Sequence, residues 1–138
     1  MLKVLLPVDG SEPSRHAIKK GIEEGLLEGK EIHVITVVPG VVLAGGYMVS
    51  PEVEEANQQL AEDALDEAKA LLADYENVIA VSRKGDPGTE ILHYASEIGA
   101  DLIVMGHRGL GTFSKIFLGS VSSRVLNHSN CSVFIVTS

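Results

Sequence analysis

The chain has 138 residues, a length that fits one domain spanning residues 1–138, because two halves would each be too small to bury a good core. Nineteen acidic residues against eleven basic ones leave a formal net charge of -8, the wrong sign for a protein that neutralises the phosphates of a duplex, so no nucleic-acid partner is expected. A single cysteine, Cys131, excludes an internal disulfide or a multi-thiolate metal site, and no apolar run approaches the ~20 residues that cross a bilayer.

The opening stretch Met1 to Asp9 is too short in its apolar part for a secretion signal, which makes the cytoplasm the expected location. Lys3 to Val8 is a run of Val and Leu stopped by the turn cluster Asp9-Gly10-Ser11, and it reads as a buried strand. Residues 14 to 28 place Ala17, Ile18, Gly21, Ile22 and Leu26 on one helical face. Glu31 to Val38 is β-branched and apolar, and it ends at Pro39-Gly40. A long helix is predicted from Pro51 to about Tyr75, with Val53, Ala56, Leu60, Ala64, Leu65, Ala68, Leu71 and Leu72 as its apolar set and Ser50 as its cap. Val78 to Arg83 forms a third strand. Asp86-Pro87 opens a helix with Ile91, Leu92, Ala95 and Ile98 inward, closed by Gly99. Leu102 to Met105 is a fourth strand, a short helix runs from about Gly119 to Asn127, and Ser132 to Val136 is the fifth strand. Strands alternating with helices predict a parallel sheet covered on both faces, hence a three-layer α/β/α domain. In such sheets ligands lie beyond the carboxyl ends of the strands, where the strand order reverses.

That rule directs attention to the loops after each strand, and above all to Gly106 through Ser120. Gly106, Gly109 and Gly111 permit close backbone approach. Gly119-Ser120-Val121-Ser122-Ser123 starts a helix whose unpaired N–H groups and hydroxyls make an anion site, with Arg108 and Lys115 as nearby positive charges. The glycine order is wrong for a dinucleotide fingerprint, and no Gly-Lys-Ser/Thr is present for a phosphate-binding P-loop. A phosphoacceptor receiver domain fails as well. Strand one ends in a single Asp9, strand three in Arg83-Lys84 and strand five in Thr137-Ser138.

Pro7-Val8-Asp9-Gly10-Ser11, together with Ala100 to Gly109 and Leu118 to Val125, resembles the universal stress protein family along the whole chain. The most specific part is Gly-x2-Gly-x9-Gly-Ser, met by Gly106, Gly109, Gly119 and Ser120, which marks that family's ATP-binding branch. The resemblance implies a five-stranded parallel sheet of order 3-2-1-4-5, with the nucleotide at the switch point between strands one and four. It implies that Pro7, Val8 and Asp9 border adenine and ribose, with Asp9 accepting from a ribose hydroxyl or holding Mg²⁺ or Mn²⁺ through water. Val37 would line the adenine pocket and offer it backbone hydrogen bonds, and Met105 would pack on the nucleoside. Gly106 and Gly109 would let the chain fold over ribose and α-phosphate, with Arg108 beside them. Gly119, Ser120 and Val121 would give N–H groups to the outer phosphates of ATP (or of ADP, or to AMP), with Ser120 and Ser122 adding hydroxyls. Two residues depart from the family pattern: His107 stands where Ser, Thr or Arg is more usual, and Thr36 where His is frequent.

Set beside these, His107 reads as a solvated loop histidine, and His16, His33, His93 and His128 as structural or surface residues without metal-ligand spacing. Cys131 reads as a small buried side chain. The acidic runs Glu52-Glu54-Glu55 and Glu62-Asp63-Asp66-Glu67 read as a solvated helix face. Pro39 to Val49 is apolar for a loop and reads as a flap beside the nucleotide or a surface against another subunit. Strand five is β-prone and ends the chain, so an edge position and pairing with a second copy are expected; the resemblance likewise implies a homodimer through the C-terminal strand. The expected function is a dimeric, nucleotide-responsive regulator that binds ATP rather than turning it over. The alternatives are a slow metal-dependent ATPase or phosphotransferase using Arg108, Lys115 and Ser120, and a protein-binding scaffold that takes no nucleotide.

Overall fold

The computed structural model describes residues 1–39, 42–43, 47–48, 50–107 and 119–137. In chain order its elements are β1 (Lys3–Pro7), α1 (Glu12–Glu23), β2 (Glu31–Pro39), β3 (Val42–Leu43), β4 (Tyr47–Met48), α2 (Pro51–Leu71), β5 (Val78–Gly85), α3 (Pro87–Ile98), β6 (Leu102–Gly106), α4 (Ser120–His128) and β7 (Ser132–Val136). The main sheet is parallel throughout, in the order β5-β2-β1-β6-β7. Counting only its own five strands, that is 3-2-1-4-5. β3 and β4 form a separate two-residue antiparallel ladder inside the stretch read from sequence as a loop.

Side-chain alternation along the strands divides the core in two. Val4 and Leu6 of β1 join Ile32, Val34 and Val104 against Ala17 and Ile18 of α1 and Ala64 and Ala68 of α2. Leu5 points the other way, with Ile35, Ile103 and Met105 against Ile91 and Ala95 of α3 and Val125 of α4. β1 is therefore apolar at every inward position because both of its faces are covered, as expected of a central parallel strand.

Local signals explain most boundaries. α1 starts two residues earlier than its apolar spacing suggests, because the Ser11 side chain accepts from Ser14 N–H and Pro13 occupies the first turn. It also ends at Glu23, before the turn built around Gly25 at φ +70°. α3 is capped by Asp86 and closed by Gly99 in the left-handed conformation, as its sequence predicts. α2 stops at Leu71 rather than Tyr75, and only its second half is buried, at Ala61, Ala64 and Ala68. Val53 and Leu60 share the apolar spacing yet stand 49% and 66% exposed, contrary to the expectation that they face the core. A 21-residue helix is about 31 Å long, whereas the five-residue central strands β1 and β6 span about 17 Å, so α2 outruns those two strands. No helix among the described residues is long and apolar enough to cross a membrane.

Candidate functional site

The overhang lies above the carboxyl ends of β1, β2 and β6, where the sheet comes apart for reasons visible in its ladders. β2 continues past β1. The last β1 residue, Pro7, lies opposite Ile35, and the next residue closes the ladder through Val8 N–H to Ile35 O at 2.8 Å. Backbone groups two residues apart point to the same side of a strand, so the N–H and C=O of Val37 face the β1 side at a height where β1 has ended. On its other flank β1 pairs with β6 only at Val4 with Leu102 and Leu5 with Ile103. The next residue facing β6 is Pro7, which has no N–H to donate, and the ladder stops below it.

The opening is a cavity of about 670 Å³, within the ~300–1,000 Å³ usual for small-molecule sites. Pro7, Val8, Asp9, Val37, Met105 and Gly106 line it from the strands, and Gly119, Ser120, Val121 and Ser122 from the start of α4. The structure thus gathers these ten sequence-selected residues around one space; Arg108 and Gly109, like Lys115, lie outside the described residues.

The start of α4 has the features that suit an anion. Ser11, Ser50 and Asp86 each cap a helix through a side chain, whereas α4 begins at Gly119 with no side-chain cap. Its first intrahelical backbone bond runs from Ser123 N–H to Gly119 O at 2.9 Å. The N–H groups of Ser120, Val121 and Ser122 therefore have no acceptor within the helix, and the positive end of its dipole adds to them. A Cβ built on Gly119 meets nothing within 4 Å, so the space before these groups is open among the described residues. Ser120 is exposed, while Ser122 is 3% exposed and donates its hydroxyl to Gly106 O at 3.3 Å. The Ser122 proton is thus engaged in tying α4 to β6, and only its N–H remains for an anion.

Asp9 lines the same cavity, two residues past the end of β1. One carboxylate oxygen accepts from Ser11 N–H at 2.9 Å and from the Ser11 hydroxyl, which fixes the side chain beside the first turn of α1. The second oxygen has no partner among the described residues. Gly106 has a different reason from the one its motif implies. A Cβ there would lie 2.3 Å from the Pro13 carbonyl oxygen, so the residue is small because α1 presses on β6. His107 is 1% exposed, with its backbone N–H on Val136 O at 3.2 Å beside the end of the C-terminal strand, and the solvated reading is corrected to a buried one. Cys131 is only half-buried, its sulfur 3.3 Å from Ser129 Oγ, because it precedes an edge strand. No group of three or more metal-ligating side chains gathers among the described residues.

Further residues line the cavity beyond the expected set. Ser11, Pro13 and Ser14 come from the first turn of α1, Thr36 from β2, and Asn57 and Leu60 from the overhanging half of α2. Ser11 was legible as part of the loop after the first strand. Asn57 carried no signal, because nothing in the spacing of α2 says that its first turns pass over a cavity.

Comparison with known proteins agrees with this architecture. The profile of the universal stress protein family matches residues 1–137. A universal stress protein of Thermus aquaticus is 35% identical over 136 residues, covering 96% of each chain. Among solved structures, protein MJ0577 superposes with a TM-score of 0.72 at 28% identity, over 99% of this chain and 96% of that one. A universal stress protein from Archaeoglobus fulgidus, solved with dAMP, has the same fold at a TM-score of 0.67 and 22% identity, over 98% and 97% of the two chains. With its strand order, its split central ladders and these matches along almost its entire length, the chain belongs to the universal stress protein family.

Proposed function

We propose that the protein binds an adenine nucleotide, ATP in the first place, in the cavity between β1 and β6, and acts as a nucleotide-responsive dimeric regulator. The observation that carries this reading is the uncapped start of α4. Three consecutive N–H groups without helical acceptors open onto a cavity of nucleotide size, next to a glycine with free space before it. The same cavity offers the backbone pair of Val37, a donor and an acceptor side by side, which matches the N1 and N6 edge of adenine. The free oxygen of Asp9 suits a ribose hydroxyl or a water on Mg²⁺ or Mn²⁺, and Met105 supplies an apolar wall for the nucleoside. A related fold already accommodates dAMP. Arg108 and Gly109 belong to the proposal through the motif they complete.

Dimerisation is assigned to β7. It occupies one edge of the sheet, and Val133, Phe134 and Ile135 are only half-buried there. Antiparallel pairing of two such edges would cover them and satisfy their backbone groups.

Thermal unfolding tests the nucleotide reading. ATP at ~100 times its dissociation constant stabilises a binding protein by about 2.7 kcal/mol, a rise of several degrees in midpoint. Gly119→Val should abolish that rise while the ligand-free midpoint stays within a few degrees, because the backbone at φ -63° and ψ 161° accepts a branched residue. The absence of any shift with ATP, ADP or AMP at millimolar concentration removes the proposal.

A further inference from the structure

The cavity has a polar wall that the phosphate and ribose contacts leave unused, on the sheet face covered by α1 and α2. Thr36 alternates with Ile35 and Val37, whose side chains belong to the α3 side, so its own side chain lies on the α2 side. Thr36 is 4% exposed, yet its hydroxyl has no hydrogen-bond partner among the described residues. No side-chain nitrogen or oxygen there is both sealed and unpartnered, and Thr36 lines the cavity, so its hydroxyl is open toward that space. Asn57 lines the same cavity from α2 and is half-buried. Asparagine is a poor residue for a helix interior, where its amide competes with the backbone for hydrogen bonds. Here it neither caps the helix nor bonds to a neighbour, whereas Gln59, two residues on, donates to Asp63 at 2.9 Å. The Asn57 carboxamide therefore reaches the cavity with no partner among the described residues.

We infer that Asn57 and Thr36 form a base-reading pair that sharpens the site's preference for adenine over guanine beyond what the Val37 backbone supplies. The inference rests on the nucleotide reading given above. A carboxamide presents one acceptor beside one donor, which complements the N6 amino group and N7 side by side on adenine, the edge that the Val37 backbone leaves free. Guanine presents two acceptors on that edge, so the amide oxygen would face an oxygen and a buried donor–acceptor match would be lost. The Thr36 hydroxyl, able to donate or accept, holds the base or the amide in place.

Equilibrium titration of the full chain with ATP, GTP and inorganic tripolyphosphate tests this. The wild-type protein should prefer ATP to GTP by at least tenfold. Asn57→Ala, which places the best helix former on α2 and so keeps the fold, should weaken ATP about tenfold and lower the ATP-to-GTP ratio about fivefold, toward the preference the Val37 backbone gives alone, leaving tripolyphosphate within twofold. Thr36→Val, of equal shape, should lower the ratio about threefold. Equal wild-type binding of ATP and GTP overturns the inference, and so does an unchanged ratio in both variants; in either case ATP binding itself stands. Failure of the wild-type protein to bind any nucleotide overturns the inference together with the reading beneath it.

Discussion

The two ends of the sheet are built on opposite principles. At the amino end every strand start is stitched to a neighbour. Asp101 N–H bonds Lys3 O at 2.8 Å, the Asp101 carboxylate accepts from Lys3 N–H at 2.8 Å, Glu31 N–H reaches Leu2 O at 2.9 Å, and Ile32 N–H reaches Asn77 O at 2.8 Å. A polar network continues inward, where buried His33 bonds the Tyr94 hydroxyl through Nδ1 and the Glu31 carboxylate through Nε2, both at 2.7 Å. At the carboxyl end the strands stop at different heights, β1 and β2 each at a proline, and helix N–H groups open onto a cavity. Closed pairing at one end supplies rigidity, and unfinished pairing at the other supplies a place to bind. The difference predicts that substitutions at the amino end lower stability and spare binding, and that those at the α4 start do the reverse.

Gly106 is the position that breaks this division, because it belongs to the binding motif yet holds a packing contact. Gly106→Val would drive a side chain into the Pro13 carbonyl and should destabilise the fold by about 3 kcal/mol, read from the urea midpoint, with binding lost only as a consequence. Removing the Tyr94 hydroxyl sharpens the comparison from the other end. Tyr94→Phe leaves a buried His33 nitrogen without its partner and should cost about 1–2 kcal/mol in the same measurement while ATP affinity stays unchanged. The smallest effect concerns acid. The His33 hydrogen bond is the main cause that holds the Glu31 carboxyl below its ordinary value of 4.5, with partial burial opposing it. A carboxyl lowered in the folded state stabilises the fold above its unfolded value, and that contribution disappears as pH falls through the folded value. Glu31→Gln should therefore flatten the loss of stability between about pH 5 and about pH 3, measured as urea midpoints across that range.

The strands were legible because buried parallel strands are short apolar runs cut by turns, as at Lys3 to Pro7 and Leu102 to Gly106, whereas their order came only from the family resemblance. The α4 start was legible from Gly119 and Ser120, whose spacing to Gly106 carries the motif. Asn57 and Leu60 were not. Periodicity reports which face of a helix is apolar, but it does not report how far the helix outruns the sheet beneath it. The burial of His107 was equally hidden, since a polar residue between glycines looks like loop until the C-terminal strand is laid beside it.

The proline that ends β1 has a kinetic consequence. If the site takes the proposed nucleotide, the central strands, already parted below the α4 start, leave no ladder to pry open on encounter. That encounter is opposed by the long-range field of an acidic surface, which mobile ions weaken. Added salt should thus speed the arrival of a triphosphate, the reverse of its usual effect on phosphate-binding proteins with basic surfaces.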